Sequence, residues 1–402
     1  MQTRFTACCM LRLFYVFFST IYDRQYDIGM IDLDAGHTVT GGHLAYIQYL
    51  YENWKLPDFD PTSVYQFNHP PLHHYLCALW MKLCSLFISN TDVLEESIQV
   101  VPFVCSLLIL WFLLRIAEQF ELTEKAKRFV MLLFCFHPAL VLLSGSVNND
   151  CMSLMFTVMC VYYTILWSRF PTAHNILKLA VSIALGMLTK QSVAQMAFPI
   201  AAVMLWMLVR SLDNGRDCRA RSVENTRNAA IPVVPVKKLL GQYVLFGVVS
   251  IPLGMSFYIR NKIQFHMPLV WIYTLPEDSW QYTGNVPVLN RFLFPVPSEM
   301  LDNLRQFKLG CGYNVWMQII RTSVLGEWDM ADVGRSVKVL AVLLMLVGAL
   351  LALAAWMAFI RVFVVQAKRC GIDSAIRILF VVGYFVHLLL YLKFAYDYPQ
   401  EC

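Results

Sequence analysis

The sequence predicts an all-α polytopic membrane protein, a transmembrane helix bundle of about nine spans with a large first outer loop. Three observations carry that expectation. Of 402 residues, 58% are hydrophobic and 15% charged, where a soluble domain carries roughly a quarter charged. Apolar runs recur along most of the chain, several near the ~20 residues that cross hydrocarbon. Basic residues gather in loops between alternate runs, so the net charge of +5 is a topology signal and not a nucleic-acid footprint.

The opening run, Phe5–Thr20, lacks a small-residue cleavage site before Tyr22 and reads as a brief first span, not a signal peptide. Further helices are expected at Ile98–Leu114, Phe129–Ser146, Met152–Trp167, Ile176–Leu188, Ala194–Val209, Leu239–Tyr258, Val337–Ile360 and Ile376–Leu392. Loops Arg115–Arg128, Arg169–Lys178, Arg210–Lys238 and Arg361–Arg377 hold 17 of the 32 basic residues. The positive-inside rule makes them cytoplasmic. The opposite face then receives the first outer loop (22–97), the turns at Asn148–Asp150 and Thr189–Gln191, and a second large outer loop (259–336).

The whole, 1–402, is expected to form one integral membrane domain, with 210–238 as a flexible cytoplasmic connector. Leu72–Ile88 is apolar enough to tempt a crossing, but a crossing there would invert the basic loops. A helix lying in the interface fits His73, His74 and Lys82 better. The twelve cysteines show no C-x-x-C pair. Cys105, Cys135, Cys151 and Cys160 lie in or beside apolar runs and read as small buried hydrophobes. There is no Gly-rich phosphate loop, so a nucleotide-binding domain is not expected.

Candidate chemistry concentrates on the predicted outer face. Asp27 follows the first span, either as a polar stop at the interface or as a partly desolvated carboxylate able to take a proton from an acceptor hydroxyl; Asp23, Asp32 and Asp34 are rivals. His69-Pro70-Pro71-Leu72 is the most specific string. Proline is tolerated in a first helical turn and forces the preceding residue out of helical geometry, which sets His69 just before a helix start. His73 and His74 follow within one turn, and imidazoles around a helix N-terminus suit a phosphate. Zinc on His69 and His73 lacks a third ligand, so no metal site is assigned.

Asp150 is either the N-cap of the following helix or an active-site acid, two roles that do not exclude each other. Lys190 either snorkels to water or turns inward to pair with a phosphate or with Asp150. Arg260 faces the same choice, and Lys262 reads as snorkelling. Trp271, Tyr273, Trp280, Tyr282, Trp316 and Trp328 read as an interfacial aromatic belt.

Tyr26-Asp27-Ile28-Gly29, Gly42-His43-Leu44-Ala45-Tyr46-Ile47, Phe67-Asn68-His69-Pro70-Pro71-Leu72, the acidic Asp150 and Leu188-Thr189-Lys190 resemble the GT-C superfamily of membrane glycosyltransferases. The style is that of glycosyltransferase family 39, which holds protein O-mannosyltransferases and aminoarabinose transferases. The resemblance implies a polyprenyl-phosphate sugar donor, a glycan, lipid or protein acceptor, and inversion by direct attack. It places Asp27 at the loop base and Asp150 at the second acidic position. Arg24, His43, His69, His73, His74, Lys190 and Arg260 become the substrate-binding set, its cations facing the leaving phosphate. Ile28 stands where the O-mannosyltransferase loop has a Glu after its Asp.

The lipid-linked sugar is the expected co-substrate, a divalent cation stays open, and the remaining partners are membrane lipids. The membrane would be the plasma membrane of a bacterium or the endoplasmic reticulum of a eukaryote. The brief first helix and the end at Tyr398–Cys402 read as a chain trimmed at one or both ends, which keeps a non-catalytic lipid-binding relative as an alternative. A secondary transporter is the other; it should show mid-membrane ionisable residues and an internal repeat, and the sequence shows neither.

Overall fold

A computed structural model describes residues 2–21, 31–32, 37–38, 41–120, 122–217, 234–279, 282–294, 313–326, 334–365 and 373–400. The described residues are chiefly helical; a two-residue ladder pairs Ile31–Asp32 with His37–Thr38, and Tyr282 bridges Gln400. Its longer helices are α1 (Gln2–Phe17), α2 (His43–Asn53), α3 (Leu72–Cys84), then α4 (Thr91–Glu96) leading into α5 (Val100–Ala117). After them come α6 (Glu124–Phe136), α7 (Pro138–Leu142), α8 (Asp150–Arg169), α9 (Ala173–Met187), α10 (Ala197–Asp217) and α11 (Val236–Phe265). The last four are α12 (Val288–Phe292), α13 (Val315–Leu325), α14 (Arg335–Phe359) and α15 (Ser374–Asp397).

The expected all-α membrane fold is borne out. All nine apolar segments are helical, but six of these helices are long and apolar enough to cross a bilayer, or seven when the bent pair α6–α7 counts as one. Segments Thr6–Phe17 and Ala173–Met187 are apolar and shorter. Nine is thus the number of expected apolar segments found helical among the described residues and not an established number of spans. The Phe129–Ser146 expectation needs correcting, because the chain bends by 60° between α6 and α7. Pro138 opens the second helix and cannot continue the first, since it lacks an N–H and its ring clashes with the preceding turn.

The break exposes carbonyls, and Arg12 takes them. Fully buried on α1, it donates through Nη1 to the Cys135 carbonyl at 3.0 Å, through Nη2 to the Phe134 carbonyl at 3.3 Å and through Nε to Ser106 Oγ at 2.7 Å. A cation at a helix C-terminus meets the negative end of the dipole. Beside it Cys135 is disulfide-bonded to Cys8, which corrects the reading of Cys135 as a plain hydrophobe. Cys105, Cys151 and Cys160 are free and buried as expected.

Helices α8 and α9 form an antiparallel hairpin, with the Thr172 hydroxyl capping α9 by accepting from Asn175 N at 3.2 Å. Small residues let the next layer close in, as within membranes, where packing replaces the hydrophobic drive. A Cβ on Gly186 would meet Val193 Cγ1 at 2.5 Å, and one on Gly254 would meet Ala184 Cα at 3.3 Å. The main core of Trp167, Ile176, Leu179, Ile200, Leu239 and Leu379 joins α8 to α11 and α15. At the Arg169 end, Arg169 Nε meets Asp373 at 3.1 Å and its Nη1 donates to Gln119 at 3.1 Å. Trp167 Nε1 donates to Gln242 at 2.7 Å, and the Gln242 amide donates to the Pro171 carbonyl at 2.9 Å.

Candidate active site

The opposite end of the α8–α9 hairpin gathers most of the predicted site residues. α9 stops after Met187 because the Thr189 and Lys190 amides both return to the Gly186 carbonyl at 2.9 Å, and Lys190 leaves in extended geometry. Its ammonium meets the Asp150 carboxylate, which settles the inward alternative. The N-cap alternative for Asp150 is not realised. Asn149 occupies that position and Asp150 is the first helical residue, its amide donating to Asn148 Oδ1 at 3.0 Å.

α3 docks onto this turn. Pro70 and Pro71 bring the chain to the helix start, and the Leu72 amide donates to the Leu188 carbonyl at 2.9 Å. His73, fully buried, bonds through Nε2 to the Val147 carbonyl at 2.7 Å. A carbonyl only accepts, so Nε2 carries the proton. α3 has 13 residues and is not among the span-length helices.

The remaining histidines build a column of rings. His69 stacks on His43 with centroids 5.4 Å apart and His43 on His74 at 5.1 Å. The column continues from His74 to Tyr46 at 4.5 Å and from Tyr46 to Phe67 at 4.6 Å. His43 Nδ1 and His74 Nε2 share a 2.8 Å hydrogen bond, so one of them donates and the other accepts. Gly42 makes the entry into α2 possible: its φ of 101° lies where side chains are strained, and its amide donates to the Tyr65 carbonyl at 2.9 Å.

Burial decides the charge of His73 and His74. Desolvation pushes the His73 imidazole down to about 4 despite its carbonyl partner. Desolvation and the three neighbouring imidazoles hold His74 well below the ordinary histidine range. Both are neutral at physiological pH. His43 and His73 lie within electrostatic reach of Asp150.

Arg260, on α11, also turns inward. Its guanidinium bonds to the Pro57 carbonyl and, at 2.9 Å, to Asn261 Oδ1. It ends an otherwise apolar cavity of about 290 Å³ walled by Leu56, Leu72, Tyr75, Leu188 and Phe257. Leu72 and Leu188, joined by their backbones, both belong to its wall, and Lys190 follows Leu188 by two residues. Arg24 and Asp27 lie outside the described residues, as do the side chains of Asp23, Asp32 and Asp34. Among the described residues no group of three His, Cys, Asp or Glu side chains is arranged to hold a metal.

Sequence reading missed the ring column, because its members sit 31 positions apart between His43 and His74 and no short-range pattern links them. It also missed Asn149, whose amide donates to the Thr189 carbonyl at 2.9 Å; the Asn-Asn-Asp run read only as a helix start.

Comparison with curated proteins and with solved structures returns no match. A family model does match: residues 68–214 fit that of the dolichyl-phosphate-mannose-protein mannosyltransferases. The stretch runs from the His-Pro-Pro element through Asp150 and Lys190 to the end of α10. It points to a multi-pass membrane glycosyltransferase that draws on a polyprenyl-phosphate-linked sugar. The family resemblance drawn from the sequence is therefore borne out, and across residues 68–214 this chain carries the pattern of the dolichyl-phosphate-mannose-protein mannosyltransferase family.

Proposed function

We propose that the protein transfers a hexose, mannose in the first instance, from a polyprenyl-phosphate donor to an acceptor hydroxyl on the extracytoplasmic side, with inversion at the anomeric carbon. The observation that carries this reading is the largely apolar cavity ended by Arg260, whose wall residue Leu188 stands two positions before Lys190 of the Asp150–Lys190 pair. An isoprenoid phosphate is an apolar chain with an anionic head, and that cavity with the Arg260 cation at its end matches both halves. The first isoprene units lie along Leu72, Tyr75 and Phe257, and the phosphate lies between Arg260 and Lys190.

In the transfer, the acceptor oxygen attacks the anomeric carbon while the bond from that carbon to the phosphate oxygen breaks. The acceptor proton goes to Asp27, and the charge left on the lipid phosphate is met by Lys190 and Arg260. Asp150 holds Lys190 at the site. His69, the partly exposed histidine of the column, meets the sugar as a hydrogen-bonding group, the buried His43, His73 and His74 hold it in place, and Arg24 is proposed as a further sugar-binding residue.

The test is an incubation of the purified full chain in lipid nanodiscs with dolichyl-phosphate-[³H]mannose and a membrane extract as acceptor source. Label should leave the donor with the wild type and stay on it with Asp27→Asn, which keeps shape and removes the base. Equal transfer by Asp27→Asn would remove Asp27 from the mechanism, and no transfer by the wild type would contradict the activity itself.

A further inference from the structure

Asn149 stands at the N-cap of α8, where an asparagine side chain ordinarily accepts from an amide of the first turn. Here it makes no such bond. Its side-chain amide instead crosses to the α9 turn and donates to the Thr189 carbonyl at 2.9 Å. Its Oδ1 is buried with no hydrogen-bond partner among the described residues. An unmet buried acceptor costs about 1–3 kcal/mol, so this side chain sacrifices both its cap and an acceptor to hold one contact across 40 positions of sequence. The next residue on each side of that contact is a member of the ion pair, Asp150 and Lys190.

Two further bonds close the arrangement. His73 Nε2 donates to the Val147 carbonyl at 2.7 Å, and the Leu72 amide donates to the Leu188 carbonyl at 2.9 Å. The α3 start, the turn before α8 and the turn after α9 are thereby tied pairwise into a ring. Besides the ion pair itself, the Asn149 side chain joins the Asp150 turn to the Lys190 turn.

We infer that Asn149 is a positioning residue, which sets the Lys190 ammonium against Asp150 and so presents it to the donor phosphate. The last clause rests on the function proposed above; the first rests on geometry alone. A residue that merely stabilised the fold would weaken every function in proportion, whereas Asn149 acts through Lys190 and has no effect once Lys190 is gone.

The experiment measures two things on the full chain in nanodiscs. The first is the rate at which an amine-reactive ester labels Lys190, followed by peptide mass spectrometry. Loosening of the ion pair makes the amine more reactive, and Asn149→Ala should raise that rate about tenfold, the worth of one hydrogen bond. The second is affinity for dolichyl-phosphate-mannose in wild type, Asn149→Ala, Lys190→Ala and the double variant. Asn149→Ala should weaken binding about tenfold in the wild-type background and not at all in Lys190→Ala, the non-additivity that marks a shared route.

Should Asn149→Ala fail to purify as a monodisperse species, Asn149→Leu keeps the approximate volume, removes the donor without adding a charge and carries the same comparison. An unchanged labelling rate, or an equal affinity loss in both backgrounds, overturns the assignment. A wild type that binds no donor while Asn149→Ala still speeds labelling sinks the donor-binding reading and leaves the positioning role standing.

Discussion

Helix α8 carries an ion pair at each end, and the two differ in what surrounds them. Arg169 at one end is shared between Asp373 and Gln119, and the Trp167–Gln242–Pro171 bonds close over the same corner. Lys190 and Asp150 at the other end lie within electrostatic reach of the His43 and His73 imidazoles, with an acceptor on Asn149 next door that is unmet among the described residues. The first arrangement satisfies its polar groups, as structural charges near a membrane do. The second leaves the Asn149 acceptor unmet among the described residues, as fits the donor site proposed above. The same pairing chemistry fastens the bundle at one end and, on the proposed function, serves a substrate at the other.

The sharpest way to break this contrast is Lys190→Ala. It removes a charge-assisted contact to a phosphate, worth about 1.5–3 kcal/mol, so donor affinity should fall by about 10–100-fold in an equilibrium binding assay. Arg260→Gln keeps a donor at the cavity end and loses the charge; a smaller fall of about tenfold is expected by the same assay. If both substitutions left affinity unchanged, the cavity would not hold the phosphate.

The neutral histidines give a pH signature. A free imidazole titrates near 6.5, while burial holds folded His73 down to about 4. Between those values the unfolded chain binds a proton that the folded chain refuses, so stability rises with pH across the window and is lost as pH falls from 6.5 toward 4. Thermal melts between pH 7 and pH 4 should show this decline, and His73→Gln, which keeps a donor toward the Val147 carbonyl, should flatten part of it. The mildest effect is expected from Arg169→Gln. Its pair is partly exposed, at 28% and 21%, and worth about 1 kcal/mol. It should lower the melting temperature slightly and leave donor affinity at the wild-type value.

Much of the fold was legible because hydrocarbon imposes a simple rule: apolar runs of sufficient length become helices. All nine runs did so, with ends shifted by a few residues, as at Asp150–Arg169 for the expected Met152–Trp167. The 60° break at His137–Pro138 escaped because apolar residues continue on both sides, so hydropathy runs straight through it; Pro138 was the readable signal. The Cys8–Cys135 bond escaped for a different reason, since two cysteines 127 positions apart carry no spacing pattern.

For the site, Asp150 and Lys190 were legible as candidates because ionisable residues stand out against apolar flanks. Their pairing was one of several open alternatives, for it depends on α8 and α9 lying antiparallel with a Gly186 contact between them. The stacking of His43 between His69 and His74 needed three segments to converge.

The most direct test of the central claim is native mass spectrometry of the full chain after incubation with dolichyl-phosphate-mannose in mild detergent, with Lys190→Ala and Arg169→Gln in parallel. The account predicts one bound donor on the wild type and on Arg169→Gln, and its loss from Lys190→Ala. Donor retained equally by all three, or displaced from all three by ordinary phospholipid, would contradict it.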